Sequence, residues 1–120
     1  MFNLIIAGSR DFNDYNLLRD AVNYYLVSRN LTEVTIVSGK ARGADTLGEK
    51  YAREKGFPVL EFPADWNRYG KSAGHRRNRE MAHAAQGLVA FWDESSPGTK
   101  GMIDYAQSQG LNVLVITYKK

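Results

Sequence analysis

Three stretches of this 120-residue chain combine glycine with hydroxyl side chains, two of them with cations as well, in patterns suited to holding an anion. The first is Ser38-Gly39-Lys40-Ala41-Arg42-Gly43-Ala44-Asp45, at the end of the apolar run Val34 to Val37. Glycines at 39 and 43 permit positive φ and close backbone approach. A helix beginning just after them aims its free N–H groups at the loop, where an anion is favoured. Lys40 and Arg42 add positive charge. Asp45, in the helix's first turn, can complement the macrodipole or accept hydrogen bonds from a ribose or from Arg10. The alternative is a glycine-rich connector capped by Asp45. The GK-[ST] ending of a Walker A loop is missing.

The second stretch, Gly8-Ser9-Arg10, follows the apolar run Phe2 to Ala7. It offers a tight turn, a hydroxyl and a guanidinium fork suited to phosphate or carboxylate, although a plain surface turn would read the same way. It is not a G-x-G-x-x-G fingerprint, so dinucleotide binding of the usual Rossmann kind is not indicated. The third, Ser95-Ser96-Pro97-Gly98-Thr99, is a small polar loop opening a helix, again either an anion site or a capped turn. Between them, "GKSAGHRRNREMAHAA" reads as a helix with Met81, Ala84, Ala85 and Leu88 on its core side. Arg77 lies four residues before Met81, in line with that stripe. An arginine there needs a partner at the helix end. Asn78 is beside it, whereas Arg76 and Arg79 read as solvated charges. His75 and His83 lack partners at metal-ligand spacing, so no metal is expected. In "FPADWNRYG", Trp66 or Tyr69 offers a ring for a base to stack on, or simply packs.

These residues need positioning, and the intervening pattern supplies it. Apolar runs at Phe2 to Ala7, Val34 to Val37, Val59 to Phe62, Leu88 to Trp92 and Asn112 to Thr117 read as strands. Helical periodicity fills the gaps, from Asp14 to about Arg29, Gly43 to Lys55, Lys71 to Gln86 and Thr99 to Gln109, with Gly56, Gly87 and Gly110 as stops. Pro63 to Gly70 reads as a loop. Strictly alternating strands and helices imply an α/β fold: one three-layer, Rossmann-like sandwich with a mainly parallel five-stranded sheet over residues 1–120. Ligands of such sheets bind beyond the carboxyl ends of the strands. All three stretches fall there.

Composition narrows the partners. With 43% hydrophobic and 24% charged residues the chain reads as an ordinary globular protein. It has no cysteine, which excludes disulfides and thiolate chemistry. The opening "MFNLIIAG" is too short to span a membrane and reads as a strand, so a cytoplasmic protein without membrane contact is expected. Lys and Arg number 16 against 13 acids. That balance admits an anionic small molecule and predicts nucleic-acid binding that is weak at most and strongly salt-dependent. A homo-oligomer is compatible with the sequence, and no cofactor is indicated.

"IVSGKARGAD" resembles the phosphate-loop signature of the DNA-processing protein DprA, and "HRRNREMAHAAQGLVAFWDESSPGT" resembles the arginine helix, strand and glycine-threonine loop of the Lonely Guy phosphoribohydrolases. With "GSRDF" and "PADWNRYGKSAGHRRNREM", the chain is similar from Ile5 to about Val115 to the YspA-like branch of the SLOG superfamily. The resemblance implies a Rossmann-like fold and a site for a nucleotide or nucleotide-derived ligand. It would be lined by Gly8, Ser9 and Arg10, by Gly39, Arg42, Gly43 and Asp45, by Arg77 and Asn78, and by Gly98 and Thr99. In Lonely Guy enzymes an arginine matching Arg77 and a glutamate just after the glycine-threonine pair cleave an N-glycosidic bond. Gly101 stands in that glutamate's place, leaving Asp45, Glu80 and Asp104 as the carboxylates to consider. The expectation is therefore a small sensor or accessory protein that binds a nucleotide-like phosphate. A phosphoribohydrolase using Arg77, Asp45 or Asp104 is the first alternative, and a DprA-like nucleic-acid-binding module the second.

Overall fold

The computed structural model describes residues 1–119. Its strands are β1 (Phe2–Gly8), β2 (Val34–Ser38), β3 (Val59–Glu61), β4 (Gly87–Trp92) and β5 (Asn112–Thr117). They form one sheet in the order β3-β2-β1-β4-β5, and all four pairings are parallel. The chain steps outward from β1 to β3, then returns across the sheet to place β4 on the other side of β1. The strand order therefore reverses between β1 and β4, where α/β sheets bind ligands.

Both central strands are covered on both faces, which is why their sequences are continuously apolar. Leu4, Ile6, Val89 and Phe91 pack with α1 (Tyr15–Ser28) and α2 (Ala44–Lys55). Ile5, Ala7, Leu88 and Ala90 pack with α4 (Ala73–Ala84) and α5 (Pro97–Ser108) on the opposite face. Local chemistry sets the element ends. Asp14 caps α1 by accepting from the Leu17 N–H at 3.1 Å. Gly56 closes α2 in the left-handed conformation, φ 74°.

Two expectations change. The segment expected to be a loop from Pro63 to Gly70 contains a short helix, α3 (Trp66–Tyr69), because Asp65 caps it through the Arg68 N–H. Gly70, at φ 55°, ends that turn, and a 3₁₀ turn (Gly70–Ser72) leads into α4. Gly87 is not a helix stop. The helix already ends at Ala84, and Ala85 is extended. Gly87 instead opens β4, and the space a Cβ would need is filled by the Tyr25 hydroxyl and the Phe2 ring, 2.1 and 2.8 Å from that position. The buried Tyr25 hydroxyl donates to the Asn112 carbonyl at 2.7 Å, so it is not free to swing aside.

Gly87→Ala should therefore overpack the junction of β1, α1 and β5 and lower stability by about 1–3 kcal/mol. Urea unfolding of the variant beside the parent checks this; equal midpoints and slopes would show that Tyr25 yields freely.

Candidate functional site

A cavity of about 520 Å³ lies at the reversal point, beyond the carboxyl ends of β1 and β4. Gly8, Ser9 and Arg10 line it from the β1 loop, and Asp45 from the start of α2. Arg77 and Asn78 enter from α4, and Gly98 and Thr99 from the start of α5. These eight sequence-expected residues meet in one space.

Glycine makes the loops fit. At Gly8 a Cβ would stand 2.4 Å from the Phe91 carbonyl oxygen and 2.9 Å from the Ala44 Cβ. At Gly43, φ 79°, it would stand 2.4 Å from the Ser9 carbonyl oxygen. The β1 loop and the α2 loop thus touch backbone to backbone. Gly39 works differently from the expectation of positive φ: that conformation falls on Lys40, φ 60°. Gly39 is needed because a Cβ there would come within 2.9 Å of both the Asp45 carboxylate and the Arg77 side chain. Gly39 and Gly43 shape the site from behind and do not line it.

Arg77 is fixed on two sides. Its Nη1 donates to the Gly39 carbonyl at 2.5 Å and its Nε to Asn78 Oδ1 at 2.9 Å. Burial holds its pKa below the ordinary value, opposed by the attraction of Asp45, while Arg10 adds repulsion. Asp45 lines the cavity as a buried side chain, accepting from the Ala41 N–H at 3.2 Å. Desolvation raises its pKa from 3.8 to about 6, against the lowering effects of the Ala41 and Gly39 amides and of Arg77.

At α5, Asp93 accepts from the N–H groups of Ser95 and Ser96 and from the Ser96 hydroxyl, which shapes the loop. The Trp92 indole N–H holds the Ser96 carbonyl at 3.1 Å. Pro97 opens the helix and no side chain caps it. The N–H groups of Gly98 and Thr99, at the head of the helix, have no intrahelical acceptor. A Cβ on Gly98 would meet open space. Ser9 Oγ is buried and makes no well-formed hydrogen bond, although the Tyr118 phenol feels its presence.

Other expected residues lie elsewhere. Lys40 is turned away, its ammonium bridging Glu49 at 2.9 Å and Glu61 at 3.3 Å. Glu49 also accepts from the Ser38 hydroxyl at 2.6 Å. Lys40 thus ties α2 to β2 and β3. Arg42 is exposed and outside the cavity lining. Asp104 is also outside, on the surface of α5 and paired with Lys100 at 2.7 Å. Glu80 is exposed on α4 and does not line the cavity. Lys71, Gly74, His75 and Met102 also line the cavity, though none is among the individually expected site residues. Met102 follows from the helical spacing of α5 beyond Thr99, and Lys71 from its place in the connection that leaves the carboxyl end of β3. No cluster of three or more metal-ligating side chains occurs among the described residues.

Residues 2–69, from β1 through α3, match the family model described as YspA, cpYpsA-related SLOG family. The chain belongs to this family. The gene 61 protein of Mycobacterium phage D29 is 37% identical over 120 residues, covering 95% of each chain. That likeness takes in the second half too, where Arg77, Gly98 and Thr99 stand. No solved structure matches. SLOG membership suggests a nucleotide-related role, and the site's position at the strand reversal suits a Rossmann-like member. No helix among the described residues is long and apolar enough to cross a membrane.

The Asp45 pKa carries a sign. In the unfolded chain the carboxyl ionises near 3.8, but in the folded protein only near 6. Between these values the unfolded state has already released its proton. Stability therefore falls as pH rises through the window and levels off above it, by about 3 kcal/mol in all. Urea unfolding at pH 4, 5, 6 and 7.5 should show Asp45→Asn removing this part of the decline. An unchanged pH slope in the variant would assign the decline to other groups.

Proposed function

We infer that the cavity binds a nucleotide or nucleotide-derived phosphate, and that the protein acts as a small sensor or accessory factor. The observation that carries this reading is the Arg77 guanidinium, held by Gly39 and Asn78 in the same cavity as the uncapped start of α5. A guanidinium with two donors already engaged is pre-organised, so little side-chain entropy is lost when its remaining donors meet an anion. Backbone N–H groups at Gly98 and Thr99 suit the same anion. Arg10 supplies a second guanidinium from the facing loop. Gly8 and Ser9 form the floor, Gly43 lets the floor meet α2, and Gly39 leaves room for Arg77. Arg42 has no part in this reading, because it stands outside the lining.

A second reading, cleavage of the N-glycosidic bond of a nucleoside 5′-monophosphate, is favoured by one observation. Asp45 lines the cavity with a pKa raised to about 6, mainly by burial, as a general acid or base requires. Against it, the Asp45 carboxylate is committed to the Ala41 N–H and sits against Gly39. Gly101 offers no carboxylate to stabilise a ribosyl cation, and Asp104 is paired with Lys100 at the surface. Binding without efficient turnover follows. A nucleic-acid role gains nothing from Lys40, whose charge is matched by Glu49 and Glu61.

Calorimetry with AMP, GMP, CMP and UMP tests the reading. Arg77→Ala and Arg10→Ala should each weaken binding by about 1.5–3 kcal/mol, the range for a charge-assisted hydrogen bond. Wild-type affinity in Arg77→Ala, or a bound phosphate at the opposite end of the sheet, would defeat it. Chromatography for free base after incubation with the same nucleotides should show none. Base release abolished by Asp45→Asn would instead establish the hydrolase.

A further inference from the structure

Five large hydrophobic side chains stand exposed among the described residues: Met1, Tyr24, Val27, Leu60 and Trp66. Of these only Trp66 lines the cavity, with 51% of its surface exposed. Core packing does not account for its position. It opens the four-residue helix α3, which has no buried residue and is held by the Asp65 cap. The indole lies beside a bare stretch of α4. Its Cη2 atom is 3.5 Å from where a Cβ would stand on Gly74, itself a lining residue. The neighbouring aromatic, Tyr69, is not an equivalent surface. The Arg76 guanidinium lies 4.2 Å from its ring centroid and that of Arg68 5.1 Å, and Tyr69 does not line the cavity.

The guanidinium and backbone N–H donors assigned to the phosphate come from other elements: Arg10 from the β1 loop, Arg77 from the second turn of α4, and the start of α5, while Lys71 lines the cavity from the 3₁₀ turn that follows α3. The wall thus offers two kinds of surface, the held Arg77 guanidinium with the start of α5 in one part and an indole half exposed to water in another. We propose that Trp66 is a stacking platform for the aromatic base of the ligand, so that the site takes a base-bearing nucleotide rather than a simple sugar phosphate. This deepens the phosphate reading above and rests on it for the other end of the ligand. Stacking removes the water-exposed indole face and the base's own face from solvent together. Every base has such a face, so recognition here discriminates by ring area, favouring purines over pyrimidines, and not by hydrogen-bonding edge.

Adenosine, AMP and ribose 5-phosphate separate the two halves of the site. Trp66→Ala should lower AMP affinity about 5- to 100-fold, leave ribose 5-phosphate affinity unchanged, and be largely rescued by Trp66→Phe. Equal losses for both phosphates, or none for AMP, would overturn the platform. Adenosine, which lacks phosphate, should shift the Trp66 indole N–H resonance, assigned by its absence from Trp66→Phe, in both the parent and Arg77→Ala. No shift at millimolar adenosine overturns the platform even where AMP binds through its phosphate. An adenosine shift without any dependence of AMP binding on Arg77 keeps the platform and removes the phosphate reading. Since α3 buries no residue, unfolding midpoints of the Trp66 variants should match the parent.

Discussion

The site depends on a single crowded point where Gly39, Asp45 and Arg77 meet. Gly39 ends the excursion beyond β2, Asp45 begins α2, and Arg77 comes from the far side of the sheet on α4. Arg77 binds the Gly39 carbonyl, and the space where a Cβ would stand is bounded by the Asp45 carboxylate and the Arg77 side chain. This contact crosses 38 residues of chain and joins the two helical layers over the edge of the sheet. Without it, a long arginine on a partly exposed helix face would be one more mobile cation. With it, Arg77 becomes a fixed wall of a cavity.

The same point sets the local electrostatics. Burial penalises both the Asp45 carboxylate and the Arg77 guanidinium, and each offsets part of the other's penalty without a direct ion pair among the described contacts. The Asp45 carboxyl remains hard to ionise, while the guanidinium keeps donors for the cavity. Lys40 shows the opposite outcome. Its positive φ carries the side chain out to Glu49 and Glu61, so a cation within the glycine loop fastens α2 to the sheet instead of facing the cavity. Charge count in a motif is therefore a poor guide to the field in the site.

Much of the fold was legible because its signals are local. Continuous apolar runs for β1 and β4, the Asp14 cap and the closing glycines of α2 and α5 are decided within a few residues by burial, capping and backbone sterics. Alternation of strands and helices then leaves few ways to connect a parallel sheet. The short helix α3 escaped notice because four residues carry too little periodicity, although its Asp65 cap was present in the sequence. Gly87 was misread because the reason for it, the Tyr25 hydroxyl and the Phe2 ring, lies 62 and 85 residues away.

The sequence by itself determined which ends of the strands would carry glycines, hydroxyls and arginines, and hence which end of the sheet would hold the cavity. It also determined that Arg77, in register with the buried Met81, would need a partner. Tertiary structure alone decided which cations face the cavity. Arg10, Lys71 and Arg77 do, Lys40 is matched by carboxylates from α2 and β3, and Arg42 stays in solvent. It also sent Asp45 into the interior and left Asp104 with Lys100 at the surface. The physical reason is that a side chain's type and spacing set what it can bind, whereas its direction and desolvation depend on backbones that meet only once the sheet has assembled.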